Sequence, residues 1–205
     1  ERKVIKKAGD NTFSLYISIP FCPSRCSYCS FVSHSIDSQK AKELVPEYVN
    51  KLLEEIEFTS QKAKENKLTL TSVYWGGGTP TTLEAEDLDR ILTKIEECFD
   101  LSTCVEYTVE AGRPDTITKE KLEVIKKYGA TRISVNPQTL NDDVLKVIGR
   151  LHTGEDTVNA FRIARKIGFD NINMDLIAGL PTESPESFKN SLDRVIELDP
   201  ESITV

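Results

Sequence analysis

A chain of 205 residues suffices for one large domain or two small ones, and 39% hydrophobic with 29% charged residues is the balance of a soluble globular protein able to bury a core. A formal net charge of -7 gives no electrostatic footprint for binding nucleic acid, and no apolar run approaches the roughly 20 residues that span a bilayer. Five cysteines, an odd number, and a charged Glu1–Lys7 without a signal-peptide pattern argue against a secreted disulfide framework and for a cytoplasmic setting.

The chain begins without methionine, so a longer parent protein is expected, with residues 1–12 as an N-terminal extension and residues 13–205 as the core domain, cut at its sixth strand. Phe13 to Ile19 alternates apolar and polar residues up to Pro20, the pattern of a strand. A helix is expected from about Lys42, with Leu44, Tyr48, Leu52 and Ile56 on one face. Leu70 to Tyr74 reads as a second strand running into Gly76-Gly77-Gly78-Thr79-Pro80. Thr82 is expected to cap the next helix, whose apolar face is Leu88, Ile91, Leu92 and Ile95. Val105 to Val109 forms a third strand ending at Glu110-Ala111-Gly112, followed by a helix from Thr118 to Gly129. A short fourth strand, Arg132 to Val135, ends at Asn136-Pro137-Gln138.

Two helices are predicted next, Asn141 to Ile148 and one opening at Thr153, where Thr153 and Asp156 match a capping box. Ile172 to Ile177 is the fifth strand, Ser184 caps a helix with Pro185 at its first position, and Ile203 to Val205 begins a sixth strand. Strands alternating with helices predict an α/β fold with a parallel sheet and right-handed crossovers, an incomplete (β/α)6 barrel.

The chemistry-bearing residues fall just after strands, at the end where such folds bind ligands. Cys22, Cys26 and Cys29 put three thiols on one tight loop, whereas a structural zinc site usually draws four ligands from two separated pairs. Three soft ligands in one loop suit a cubane iron–sulfur cluster with one iron left free of protein; zinc or plain buried thiols are the alternatives. The glycine triplet lets backbone approach a ligand where a Cβ would collide. Glu110 can accept hydrogen bonds from a ribose or an ammonium group, or be a rim charge. Asp175 sits inside an apolar strand and calls for a partner, either a ligand or Arg150 or Arg132 in a buried ion pair. Cys98 and Cys104 read as core or incidental thiols.

The spacing Cys-x3-Cys-x-Tyr-Cys resembles the signature of radical S-adenosylmethionine (SAM) enzymes. More narrowly, Tyr16 to Phe31 (YISIPFCPSRCSYCSF), Trp75 to Thr81 (WGGGTPT), Gln138 with Arg150, and Asn173 to Pro181 (NMDLIAGLP) resemble the oxygen-independent coproporphyrinogen III oxidases and their relatives, over about residues 13 to 205. The resemblance implies a 4Fe–4S cluster on Cys22, Cys26 and Cys29, SAM against Tyr16, Tyr28, Gly77 and Glu110, and a second SAM against Gly78, Thr79, Gln138, Arg150 and Asp175. It implies reductive cleavage of SAM to a 5′-deoxyadenosyl radical, and loss of carbon dioxide from a porphyrinogen propionate to leave a vinyl group. Porphyrinogen or heme is the implied ligand, and flavodoxin or ferredoxin the implied kind of electron donor. Two departures weaken the decarboxylase reading. Phe31 stands where the oxidases carry a further cysteine, as in heme-chaperone relatives, and Asn136-Pro137 replaces the usual Gly-Val, as in an oxidase-like coproporphyrinogen dehydrogenase branch.

Overall fold

The computed structural model describes residues 9–31 and 34–205. Most of the expected extension, residues 1–8, lies outside the described residues, and the remainder leads into the first strand. The strands are β1 (Thr12–Ile19), β2 (Phe21–Cys22), β3 (His34–Ser35), β4 (Thr69–Gly77), β5 (Glu106–Gly112), β6 (Arg132–Gln138), β7 (Ile172–Leu176) and β8 (Ser202–Thr204). The helices are α1 (Gln39–Glu65), α2 (Ala85–Cys98), α3 (Lys119–Lys127), α4 (Asp142–Val147), α5 (Gly154–Ile167) and α6 (Pro185–Glu197).

Six strands pair in parallel in the order β1-β4-β5-β6-β7-β8, while β2 and β3 form a separate two-residue parallel pair. Each crossover carries a helix across one face, as parallel pairing requires. That face is apolar: Leu15, Ile17, Ile19, Val73, Trp75 and Val109 are buried in a core shared with Val49, Ile56, Leu88, Ile91, Ile95, Leu122 and Phe161 from the helices. The other face is polar. Ser14 pairs with Ser72 and Tyr16 with Tyr74 in the register, and Arg132, Ser134, Asn173 and Asp175 continue it across β6 and β7. A sheet buried on both faces would read as continuous apolar runs. The alternation in β1 therefore reports a barrel whose inside is open and polar.

Several expected boundaries move, for local reasons. α1 starts at Gln39 because Ser38 caps it, its hydroxyl accepting from the Ala41 N–H at 3.2 Å, and it runs through Pro46. Its buried seam is Val49, Leu52 and Ile56, with Leu44 and Tyr48 only partly covered. Thr82 does not cap α2. It lies buried in a 3-10 turn, Pro80–Thr82, and α2 begins after Glu84 with no side-chain cap; Glu86 and Asp87 in its first turn face the positive end of the helix dipole instead. β4 runs on to Gly77, since Gly76 and Gly77 find partners in Ser18 and Ile19 of β1, and β5 and β6 run on to Gly112 and Gln138, which pair with Val135 and Leu176. Among the described residues, no helix is long and apolar enough to cross a membrane.

The capping box at the start of α5 is present in both directions: Thr153 Oγ1 accepts from the Asp156 N–H at 3.2 Å, and Asp156 accepts from the Thr153 N–H at 2.7 Å. Substituting Thr153→Ala should lower the unfolding free energy by about 1 kcal/mol, read as a lower urea midpoint at unchanged slope.

Candidate functional site

The cysteine loop is built against three other segments. Ser24 Oγ donates to the Gly149 carbonyl at 2.8 Å and the Ser27 N–H to the Ile148 carbonyl at 3.0 Å, which ties the loop to the turn after α4. Arg113, just past β5, donates to the Ser24 carbonyl at 3.3 Å and to Ser24 Oγ at 3.1 Å. The Gly78 N–H reaches the Ile19 carbonyl at 2.6 Å and the Thr79 N–H the Phe21 carbonyl at 2.8 Å, so the end of β4 holds the short strand carrying Cys22. A Cβ on Gly78 would lie 2.5 Å from the Phe21 carbonyl oxygen. The close approach expected of this glycine is thus made by the chain's own backbone.

Cys22 and Cys26 are buried and Cys29 half-buried, all as free thiols. Cys22 Sγ lies 3.2 Å from Thr79 Oγ1, and the Cys26 sulfur accepts from Arg113 Nη1 at 3.5 Å. Burial pushes the Cys22 thiol up, while the Thr79 hydroxyl and the Arg113 charge act the other way. The three cysteines line one cavity together with Tyr28, Gly77, Gly78, Thr79, Glu110, Gln138 and Arg150. Ten of the twelve residues singled out in the sequence therefore share it.

Tyr16 and Asp175 stand apart from that lining, on the open inner face. Tyr16 is 58% exposed and stacks on Tyr74 with ring centroids 6.0 Å apart. Tyr74, which the sequence reading passed over, donates its hydroxyl to Glu110 Oε1 at 2.6 Å. Asp175 accepts from Asn173 Nδ2 at 2.6 Å. Neither suggested arginine pairs with it: Arg132 reaches Ser202 at 3.1 Å, and Arg150 donates to the Asn136 carbonyl at 2.9 Å and to the Tyr28 hydroxyl at 2.8 Å. Asn173 lies two residues before Asp175 on the same face of β7, so that contact follows from the two-residue period of the strand.

Gln138 holds a left-handed backbone, φ 69°, in a buried position, a strained conformation of the kind found at ligand sites. Two buried polar atoms on the cavity lining, Asn136 Oδ1 and Arg150 Nε, have no partner among the described residues. The Tyr28 hydroxyl is pushed up to about 12 by burial, against the pull of Arg150. Arg113 and Asp115 also escaped the sequence reading, although Gly112-Arg113-Pro114-Asp115 follows a strand as the other motifs do.

Among the described residues, no three His, Cys, Asp or Glu side chains gather as one metal ion would require. A cubane cluster takes one thiolate per iron, so its ligands ring a cavity instead of converging on a point. Three thiols around one cavity, two with hydrogen-bonding partners at sulfur, fit such a cluster. The orphaned polar atoms and the Glu110 carboxylate beside them fit a polar cosubstrate. A wider groove between α3 and α5, lined by Lys119, Lys126, Lys127 and Lys166, lies on the outer helices, away from these strand ends.

Burial raises the Glu110 pKa and the Asp175 charge adds to it, while the Tyr74 hydrogen bond opposes both. A carboxyl whose folded pKa is raised costs stability wherever it is ionised, and costs nothing once it is protonated in both states. Glu110→Gln should therefore raise the melting temperature at pH 7, with the gain fading as pH falls from the raised folded value to the ordinary ~4.3. Thermal melts across that range check the sign.

Residues 16–195 match the Radical SAM superfamily. The chain is 45% identical over 193 residues to the oxygen-independent coproporphyrinogen-III oxidase-like protein HemZ of Bacillus subtilis, covering 94% of this chain and 38% of that protein. It is 39% identical over 193 residues to the heme chaperone HemW of the same organism, covering 94% of this chain and 49% of the other. The structure of coproporphyrinogen III oxidase (HemN) from Escherichia coli, a radical SAM enzyme, superimposes with a TM-score of 0.81 at 30% identity, covering 98% of this chain and 46% of that one. The chain spans about half or less of the length of these relatives.

Proposed function

The chain belongs to the radical SAM superfamily, and we propose that Cys22, Cys26 and Cys29 hold a 4Fe–4S cluster with SAM bound beside it. The observation that carries this is the single cavity shared by three free thiols and the polar ends of β4, β5 and β6. A cluster with SAM supplies one-electron reductive cleavage of SAM.

The chain's own residues bind and orient. Thr79 and Arg113 fix the sulfurs of Cys22 and Cys26. Glu110, steered by Tyr74, offers its carboxylate to a ribose or an ammonium group. Gly76 keeps the space between the Tyr16 hydroxyl and Glu110 clear, since a Cβ there would lie 3.0 Å from each. Arg150 Nε and Asn136 Oδ1 supply the unused donor and acceptor. This reading takes one SAM per chain. The second, which the resemblance implies, has Gly78, Thr79, Gln138 and Arg150 in the cavity but Asp175 outside its lining.

The substrate we propose is a porphyrinogen, with the chain part of an oxidoreductase that decarboxylates coproporphyrinogen III to protoporphyrinogen IX in the cytoplasm, reduced by a flavodoxin or ferredoxin. The oxidase-like relative and the E. coli structure support this reading. One feature favours a heme-binding chaperone instead: Phe31, 79% exposed on the cavity rim, is an apolar ring suited to stack on a flat macrocycle where the oxidases have a thiol.

Anaerobically reconstituted protein should bind four irons per chain, retained in Cys98→Ala and Cys104→Ala and lost in Cys26→Ala; the reverse pattern would end the assignment. Equilibrium dialysis of the loaded protein should give one SAM per chain, and a value of two would establish the second site. The parent protein, given SAM, reductant and coproporphyrinogen without oxygen, should form vinyl products and 5′-deoxyadenosine. Stoichiometric heme binding with no vinyl product would select the chaperone.

A further inference from the structure

The Arg113 side chain is 3% exposed, and each of its three nitrogens is engaged. Nε and Nη2 form a fork on the Asp115 carboxylate at 3.0 and 2.9 Å, the geometrically selective way to hold a guanidinium. With that edge fixed, Nη1 is shared between the Ser24 carbonyl, 3.3 Å away, and the Cys26 sulfur, 3.5 Å away. Asp115 is fixed in turn: His152, with its side chain fully buried, lies behind it, Nδ1 3.7 Å from Oδ1. Arg113 and Asp115 flank Pro114 in the rigid turn after β5, so the fork is built by local sequence.

A buried guanidinium aimed at a thiol is more than a loop anchor needs, since Ser24 already gives it two oxygens and Asp115 two more. A charge held out of water costs free energy unless it is paired or used. We propose that Arg113 is a positioning residue that sets the reduction potential at Cys26, with Asp115 partly offsetting it. The inference rests on the cluster reading above. Hydrogen bonds to cluster sulfurs and nearby net charge set such potentials. When an external one-electron donor reduces the cluster, the added negative charge is stabilised by the guanidinium and opposed by the carboxylate. The two residues therefore act with opposite signs.

That sign difference is the test, because a merely loosened loop would move both variants the same way. Iron content and dye-mediated EPR redox titration are measured on the reconstituted chain, on Arg113→Gln and on Asp115→Asn. Iron in the unmutated chain reads the cluster assignment itself, and its absence overturns both proposals. With iron present, Arg113→Gln should make reduction about tenfold less favourable, a midpoint about 59 mV lower for a one-electron couple. Asp115→Asn should raise the midpoint. An unchanged midpoint in Arg113→Gln at full iron content, or shifts of one sign in both variants, overturns the inference. If Arg113→Gln fails to load iron, Asp115→Asn decides alone: a raised midpoint supports the inference, and an unchanged or lowered one overturns it.

Discussion

Where β4 ends, two backbone segments cross so closely that no Cβ fits between them, and the placement of the whole site depends on that crossing. The Gly78 and Thr79 N–H groups bond to the Ile19 and Phe21 carbonyls at 2.6 and 2.8 Å. A side chain on Gly78 would meet the Phe21 carbonyl carbon and oxygen and the Ile19 oxygen, all under 3.0 Å and all backbone, so nothing nearby can yield. The crossing turns the chain out of β1 and seats Cys22 over Thr79.

The loop beyond Cys22 is then secured from the neighbouring strand ends. Arg113 after β5 holds Ser24, the turn after α4 holds Ser24 and Ser27, and Arg150 holds the Tyr28 hydroxyl. Gly149 takes a left-handed backbone, φ 78°, where a Cβ would lie 3.0 Å from the Arg25 carbonyl oxygen, so this contact too is made by backbone against backbone. The loop is therefore ordered by protein contacts that do not involve its thiols. The three cysteines line the cavity, the arrangement that the proposed cluster requires.

The sequence made the architecture legible because apolar strands run into cysteine, glycine or amide motifs and are followed by amphipathic helices. The capping box at Thr153 and the cap at Ser184 are local, and the structure has them. Partner choice was not local. Thr82 looked like a cap, yet its turn is drawn into the core by the Thr81 hydroxyl, which bonds Ala111 and Thr116 thirty or more residues away. Asp175 looked short of a cation, but the distant arginine is spent on Tyr28 and Asn136, and the partner it has is Asn173, two residues back on the same face of β7. The glycine triplet was legible as a close approach. Whether the approaching group was a ligand or the chain itself depended on a crossing between segments about sixty residues apart.

Charge on the inner side of the barrel follows the same division between local pattern and tertiary outcome. The chain as a whole is acidic at -7, yet two arginines are buried at the cavity, Arg113 and Arg150, both under 10% exposed. Arg113 has a carboxylate partner, whereas among the described residues Arg150 reaches only a carbonyl and a phenol. Among the same residues its Nε finds no acceptor. Thiolates formed at Cys22, Cys26 and Cys29 would place negative charge on the same cavity wall. The arginines and such thiolates would each lower the cost of burying the other.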